Sequence, residues 1–371
     1  MRGTQSSLRS EGWCGQRPQD WGHVATKLVA ALLCCVPAAV GQSARPTLDP
    51  LVTPRYFTAR DTIHPGATFR VTTTFNRRAF LQASAGVMAA HISPTLFTPL
   101  KQPLRLGLII GIGEDPEAAI AKVHDLGLPT CQVYVEDFQR AVSTRLLQAL
   151  ARHHIEATSV VVGGPGREAW DFYDGPLTIG VVPRDTRAAR IARIKQASDF
   201  AKACGIPAVQ SHAGFIPENP NDPVYKETVA AMREVVQYCR RNAQHFRYET
   251  GQETPITLVR AMQDVGLDNQ GVNFDLANLI LYGKANPVDA IEILAPHVQG
   301  IHAKDGLWPT NPRELGREVP IGQGKVDFPR IIARLKQLHY QGAVTIEREV
   351  SGPEQIEDVR AAKVYLEGLI G

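Results

Sequence analysis

The sequence predicts an α/β fold, a single (β/α)8 TIM barrel preceded by a non-globular N-terminal targeting region. Three observations predict it. From Leu104 onward, short β-branched apolar runs alternate with helical stretches eight times, within roughly the 250 residues such a barrel needs. The runs are apolar enough for parallel strands covered on both faces. Metal-ligating side chains recur near the ends of four successive runs, at Glu249, Asp275, His302 and Glu347.

The first strand is LRLGLIIGI, 104–112. Asp115-Pro116 opens its helix as a cap followed by proline at the first helical position, and Gly127 ends it. The second strand is TCQVYV, 130–135, and its helix covers 143–153, with His153-His154 at the far terminus. The third, ATSVVVGG over 157–164, runs into a long loop, 165–185, carrying Trp170, Phe172 and Tyr173, before a helix over 186–204. The fourth is PAVQSHAG, 207–214, with a helix over 222–241. The fifth is HFRYET, 245–250; its helix covers 255–265, with Glu253 expected to cap it. The sixth is GVNFDLAN, 271–278, and its helix begins at Pro287. The seventh, VQGIHAKDG over 298–306, precedes a second long loop, 307–325, and a helix over 328–338. The eighth is GAVTIERE, 342–349, followed by a helix over 353–369. An open doubly wound sheet is the alternative, but Gly111-Ile112-Gly113 leads into Glu114-Asp115-Pro116, which is no dinucleotide fingerprint.

Upstream of the barrel the reading changes. Residues 1–70 lack periodicity and are expected to be an unstructured extension, although Lys27 to Cys35 resembles a signal-peptide core. Residues 71–103 read as a twin-arginine-like signal and linker. Asn76-Arg77-Arg78-Ala79-Phe80-Leu81 precedes a mildly apolar run from Ala83 to Ala90, and Pro94, Pro99 and Pro103 mark the linker. Export signals act at a chain's beginning, so Val71 is expected to be the true start. Export to the periplasm follows, or a cytoplasmic location if the signal is not functional.

A formal net charge of +3 demands no polyanionic partner, so nucleic acid is not expected. Nor does the barrel region hold an apolar run long enough for a membrane helix. A homo-oligomer is compatible with this composition. The six cysteines form no C-x-x-C pair, and Cys131, Cys204 and Cys239 are expected as buried free thiols.

A buried carboxylate is costly unless paired or metal-bound. Singly, Glu249, Asp275 or Glu347 reads as an exposed acid or a salt bridge. On successive barrel strands, with His302 at matching depth, they read as one metal site. Three carboxylates and one imidazole suit a hard divalent ion, with Mn2+ favoured and Mg2+, Co2+ or Zn2+ as alternatives. Lys304 shares a strand face with His302 and either reaches over the metal or is a solvated loop lysine. Glu347 and Glu349 also share a face, and Glu347 lies deeper in the apolar run. His212 is either a substrate contact or a packed histidine. Trp170, Phe172 and Tyr173 either shield a substrate or tuck their loop onto the rim, and Trp308 has the same two readings.

HFRYETGQE, GVNFDLANLILYG, GIHAKDG, VPIGQGKVDF and VTIERE resemble strand-end motifs of the xylose isomerase-like TIM barrel superfamily, more narrowly its sugar phosphate isomerase/epimerase family. The resemblance covers Leu104 to Gly371. By likeness to ketose 3-epimerases, it implies that Glu249, Asp275, His302 and Glu347 bind one divalent ion. It also implies that Glu249 and Glu347 are an acid/base pair acting on a small sugar or keto-sugar through a cis-enediolate. His212, Asn278, Lys304, Trp170 and Arg317 are the expected substrate contacts. Two departures stand out. Asn278 replaces a histidine of the epimerases, and the loop that would carry their substrate arginine, matched here by Arg317, is longer. These departures leave room for a lyase or hydratase acting on 3-keto-sugars with the same site. An exported, non-catalytic sugar-binding protein is the alternative of another class. The endonuclease IV branch would need more histidines at strand ends. No Gly-rich phosphate cradle follows strands seven and eight, which favours an unphosphorylated sugar.

N-terminal peptide mapping of the native protein is expected to recover nothing from residues 1–65. Peptides from that segment would overturn the start at Val71.

Overall fold

The computed structural model describes residues 104–371; the export signal, the start at Val71 and the linker lie outside the described residues. The strands are β1 (Arg105–Gly111), β2 (Thr130–Tyr134), β3 (Glu156–Val161), β4 (Ala208–His212), β5 (His245–Glu249), β6 (Gln270–Asp275), β7 (Val298–Ala303), β8 (Asp305–Leu307), β9 (Arg317–Val319) and β10 (Ala343–Ile346). A closed barrel forms in the order β1-β10-β7-β6-β5-β4-β3-β2, every pairing parallel. β8 and β9 make a separate antiparallel pair in the second long loop.

The helices are α1 (Pro116–Asp125), α2 (Arg140–His153), α3 (Gly175–Thr178), α4 (Arg184–Ala203), α5 (Pro223–Arg241), α6 (Pro255–Val265), α7 (Leu276–Leu281), α8 (Pro287–Leu294), α9 (Phe328–Gln337) and α10 (Pro353–Ile370). Five of their starts follow one local rule: a short polar side chain takes an orphan N–H of the first turn, and proline follows. Asp115, Asp222, Asn286 and Asp327 do this for α1, α5, α8 and α9. Thr254 does it for α6, bonding the Thr257 N–H, so the expected Glu253 cap is corrected. Only the residue next to the first turn can reach those N–H groups. No helix among the described residues is long and apolar enough to cross a membrane. Cys131, Cys204 and Cys239 are free and buried, as expected, and burial pushes each thiol up to about 12.

Two strands end earlier than their apolar runs. β6 stops at Asp275 because its carboxylate accepts the Asn278 N–H at 2.7 Å and starts α7. Asn278 therefore lies inside a helix, not at a strand end. β7 stops at Ala303, and the chain leaves the barrel as β8. Asp305 organises that exit. Its carboxylate accepts the backbone N–H groups of Gly306, Gly322, Gly324 and Val326 at 2.8–3.0 Å. A Cβ on Gly324 would meet Asp305 Oδ1 at 2.0 Å, so the glycines of VPIGQGKV are the room this carboxylate needs.

The strands alternate more strictly than their composition suggests. Phe246, Tyr248, Val272, Phe274, Ile301, Val344 and Ile346 are buried in the hydrophobic core. The intervening residues meet across the barrel lumen. Gln132 Nε2 donates to Asn273 Oδ1 at 3.0 Å, and Ser159 Oγ donates to Gln210 Oε1 at 3.1 Å. The lumen is thus filled by a hydrogen-bonded polar layer rather than by branched aliphatics, and that layer is the floor of the site above it.

Asp305→Ala removes a charged acceptor from four backbone donors. It is expected to cost about 3 kcal/mol of stability, since bonds to charged groups are each worth roughly half that or more. Urea unfolding of the variant checks this.

Candidate metal centre

Strand register explains why the ligand residues converge. Asp275 on β6 stands beside His302 on β7. Glu249 on β5 is level with Asn273, one inward step below Asp275. His302 is level with Thr345 on β10, and Glu347 is the next inward position after it. Ligand atoms of Glu249, Asp275, His302 and Glu347 all lie within 4.8 Å of one another. His302 Nδ1 is 3.1 Å from Glu249 Oε1, 3.0 Å from Glu347 Oε2 and 3.6 Å from Asp275 Oδ2. All four side chains are buried.

The floor orients the imidazole. Gln132 Oε1 lies 2.7 Å from His302 Nε2, so Nε2 carries the proton and Nδ1 faces the carboxylates. Gln132 itself is oriented by donating to Asn273. Gln210 donates to Glu249 Oε2 at 3.2 Å and is oriented by Ser159. Sequence reading missed Gln132, Gln210 and Asn273. Their signal was an amide in the middle of an apolar run, two residues before the strand end in VQSH and VNFD.

The electrostatics fit a cation. Burial pushes the Asp275 carboxyl up to about 7. Burial also opposes ionisation of Glu249 and Glu347, but neighbouring positive groups outweigh it: His212 and His302 for the first, Lys304 and His302 for the second. Both are held below the usual carboxylate range. His302 is driven well above its ordinary value against the desolvation cost, by Glu347 and Glu249. Asp275 Oδ2 and Glu347 Oε2 are buried without a hydrogen bond. A hard divalent ion held by these oxygens and Nδ1 would give the unpaired carboxylate oxygens a partner.

The remaining expected residues divide. Lys304 is fully buried, which removes the solvated-loop reading. Its Nζ is 3.4 Å from Glu347, 2.8 Å from Glu349 and 3.9 Å from Asp275, and donates to Asn278 Oδ1 at 3.3 Å. His212 Nε2 is 3.5 Å from Glu249, and its buried Nδ1 has no hydrogen bond. The Trp170 ring packs edge-on against His212 with centroids 5.1 Å apart and is half exposed. Phe172 packs on Tyr282 instead. Glu349 is 60% exposed at the rim, so Glu347 is the candidate ligand of that pair. Arg317 stands exposed on β9. A cavity of about 500 Å³ beside α1 and α10 shares no residue with the ligand set.

Known proteins resemble this chain along the described barrel. The family model for xylose isomerase-like TIM barrels matches residues 120–368. A xylose isomerase domain protein from Planctomyces limnophilus is 34% identical, spans 72% of this chain and 98% of its own, and superposes with a TM-score of 0.69. The 3-keto-D-glucoside 4-epimerase of E. coli shares the fold at 14% identity, covering 71% of this chain and 99% of its own, TM-score 0.54. A D-psicose 3-epimerase solved in the presence of D-fructose does so at 16% identity, covering 72% and 100%, TM-score 0.55.

Two outcomes are expected. Adding Mn2+ should raise the melting temperature, because only the folded state presents the ligand set, and His302→Ala should abolish the rise. Calorimetric melting with and without the ion checks it. The second outcome concerns Glu253, whose carboxyl burial pushes up from 4.5 to about 8. An acid with a raised folded pKa stabilises fully below its unfolded value and loses that stabilisation as pH rises through the folded one. Stability is therefore expected to fall between about pH 4.5 and 8, and Glu253→Gln to flatten that fall in unfolding curves taken across the range.

Proposed function

The chain belongs to the xylose isomerase-like TIM barrel family, and on that premise we propose that it is a divalent-metal-dependent isomerase or epimerase of a small unphosphorylated sugar or keto-sugar. The observation that carries the reading is the single cluster of Glu249, Asp275, His302 and Glu347 at the strand ends. Structural neighbours that are sugar epimerases support it. A divalent ion held by the four ligands supplies Lewis-acid stabilisation of the negative charge that develops on adjacent sugar oxygens. Three carboxylates and one imidazole favour Mn2+ for that role.

The chain's own residues supply the proton transfers. Glu249 and Glu347 come from β5 and the end of β10, with β6 and β7 between them, so they flank the substrate. Glu249, kept ionised by His212 and His302, takes the proton from carbon. Glu347, ionised beside the Lys304 ammonium, is the matching base for the opposite face, and the proton that Glu249 removes is the one returned to the neighbouring carbon. Lys304 donates to a substrate oxygen as charge builds there. Its partner Asn278 holds that ammonium in place but cannot itself trade protons. His212 offers an unpaired Nδ1 to a hydroxyl, and Trp170 covers it. An exported enzyme would meet free sugars, which suits this reading.

A second reading rests on Asn278. With an amide where the epimerases carry a histidine, β-elimination from a 3-keto-sugar by a lyase or hydratase needs one fewer proton carrier. Incubation with Mn2+, ketoses and keto-glycosides in deuterated water separates the two. Isomerase or epimerase action places deuterium on carbon with the hydroxyl count retained; elimination loses a substituent. Sugar binding with no exchange under any metal would instead identify a binding protein.

Glu249→Gln and Glu347→Gln are each expected to lower turnover roughly 1,000-fold while the protein stays folded, the size of a general acid or base contribution. Turnover and circular dichroism measured together check this. Full activity in either variant would sink the acid/base assignment.

A further inference from the structure

A candidate ligand just past the end of a strand needs something to hold it there, and Glu347 is in that position. β10 ends at Ile346, and the Glu347 N–H makes a last bond to the Ala303 carbonyl of β7 at 3.0 Å. Residues 348 and 349 are held by side chains instead. Glu347 and Glu349 both face Lys304, at 3.4 and 2.8 Å from its Nζ. Arg348, between them, turns the other way, toward α10.

Acids from two elements meet it there. Arg348 Nε donates to Asp358 Oδ2 at 2.7 Å, and Nη2 lies 3.8 Å from Glu354, both on α10. Nη1 lies 3.0 Å from Glu318 Oε1 on β9. Gln355 Nε2 donates to the Arg348 carbonyl at 2.8 Å. The Arg348 side chain is 8% exposed, so water cannot stand in for a lost partner. A planar guanidinium also fixes the direction of each bond, which a flexible ammonium would not.

Glu318 extends the grip. Its carboxylate also accepts the Glu349 N–H, at 3.2 Å to each oxygen. Glu318 pairs with Gly306 of β8, two residues beyond Lys304. The hairpin that follows Lys304 therefore braces the backbone that carries Glu347.

We infer that Arg348 and Glu318 are positioning residues: through the backbone between them they hold the Glu347 carboxylate at the candidate metal centre and set its distance from Lys304. The inference rests on the proposed metal reading and adds what orients one of its ligands.

Arg348→Lys and Glu318→Ala in the full chain test it, alone and together. The readouts are calorimetric Mn2+ titration, the electron paramagnetic resonance spectrum of bound Mn2+, and thermal melting. Leu335→Ala, a truncation in the buried face of α9, serves as the variant that only destabilises. Both positioning variants are expected to fold, to bind Mn2+ roughly tenfold more weakly and to change the bound-ion spectrum, as loss of a group that orients a ligand does. The double variant should lose about as much as either single one, because both cut one link. Leu335→Ala should melt lower with Mn2+ affinity and spectrum unchanged. Wild-type affinity and spectrum in both positioning variants would overturn the inference and leave the metal centre standing. So would additive losses in the double variant, or an equal loss in Leu335→Ala. If Arg348→Lys does not fold, Glu318→Ala decides alone. A wild-type protein that binds no Mn2+ would instead bring down the metal reading, and this inference with it.

Discussion

Three buried carboxylates packed around one imidazole nitrogen set the terms for the rest of the molecule. Left without a cation, Glu249, Asp275 and Glu347 would repel one another at close range in a low-dielectric lumen, at a cost of several kcal/mol per charge. The fold accepts that strain because every surrounding element offsets part of it. Lys304 is drawn inward between Glu347 and Glu349, His302 turns Nδ1 toward the acids, and Gln210 donates to Glu249. A metal ion would complete this set rather than create it.

The polar floor follows from the same demand. An imidazole aimed by Nδ1 needs an acceptor at Nε2, and Gln132 provides it from across the barrel. That amide then needs its own nitrogen satisfied, which Asn273 does. The relay ends there, with the Asn273 side-chain nitrogen buried without a hydrogen bond. Aliphatic layers would pack as densely but could not hold an imidazole in one tautomer. The same logic operates outside the barrel, where the Asp305 carboxylate gathers four backbone N–H groups and so places the hairpin beside Lys304.

Much of this was legible in the chain. Period-two runs ending in acids, with Asp-Pro, Thr-Pro and Asn-Pro pairs between them, gave away the barrel and its helix starts, because capping and strand alternation are local physics. The convergence of the four candidate ligands was legible for the same reason: a charge at the end of a buried strand demands a partner, and a barrel brings strand ends together. Gln132 and Gln210 were not, since an amide inside an apolar run looks the same whether it faces lumen or helix.

The sequence by itself therefore determined the fold class, the proline-marked helix starts and the residues of the candidate metal site, each of which depends on neighbours close in the chain or on the symmetry of a closed barrel. Tertiary structure decided the rest. It buried Lys304 against Glu347, put Asn278 on a helix instead of a strand, and packed Phe172 and Phe215 edge-on against Tyr282. Those placements depend on register, on where a strand yields to a helix and on how two loops fold over a rim. All three are settled by contacts between residues far apart in the chain.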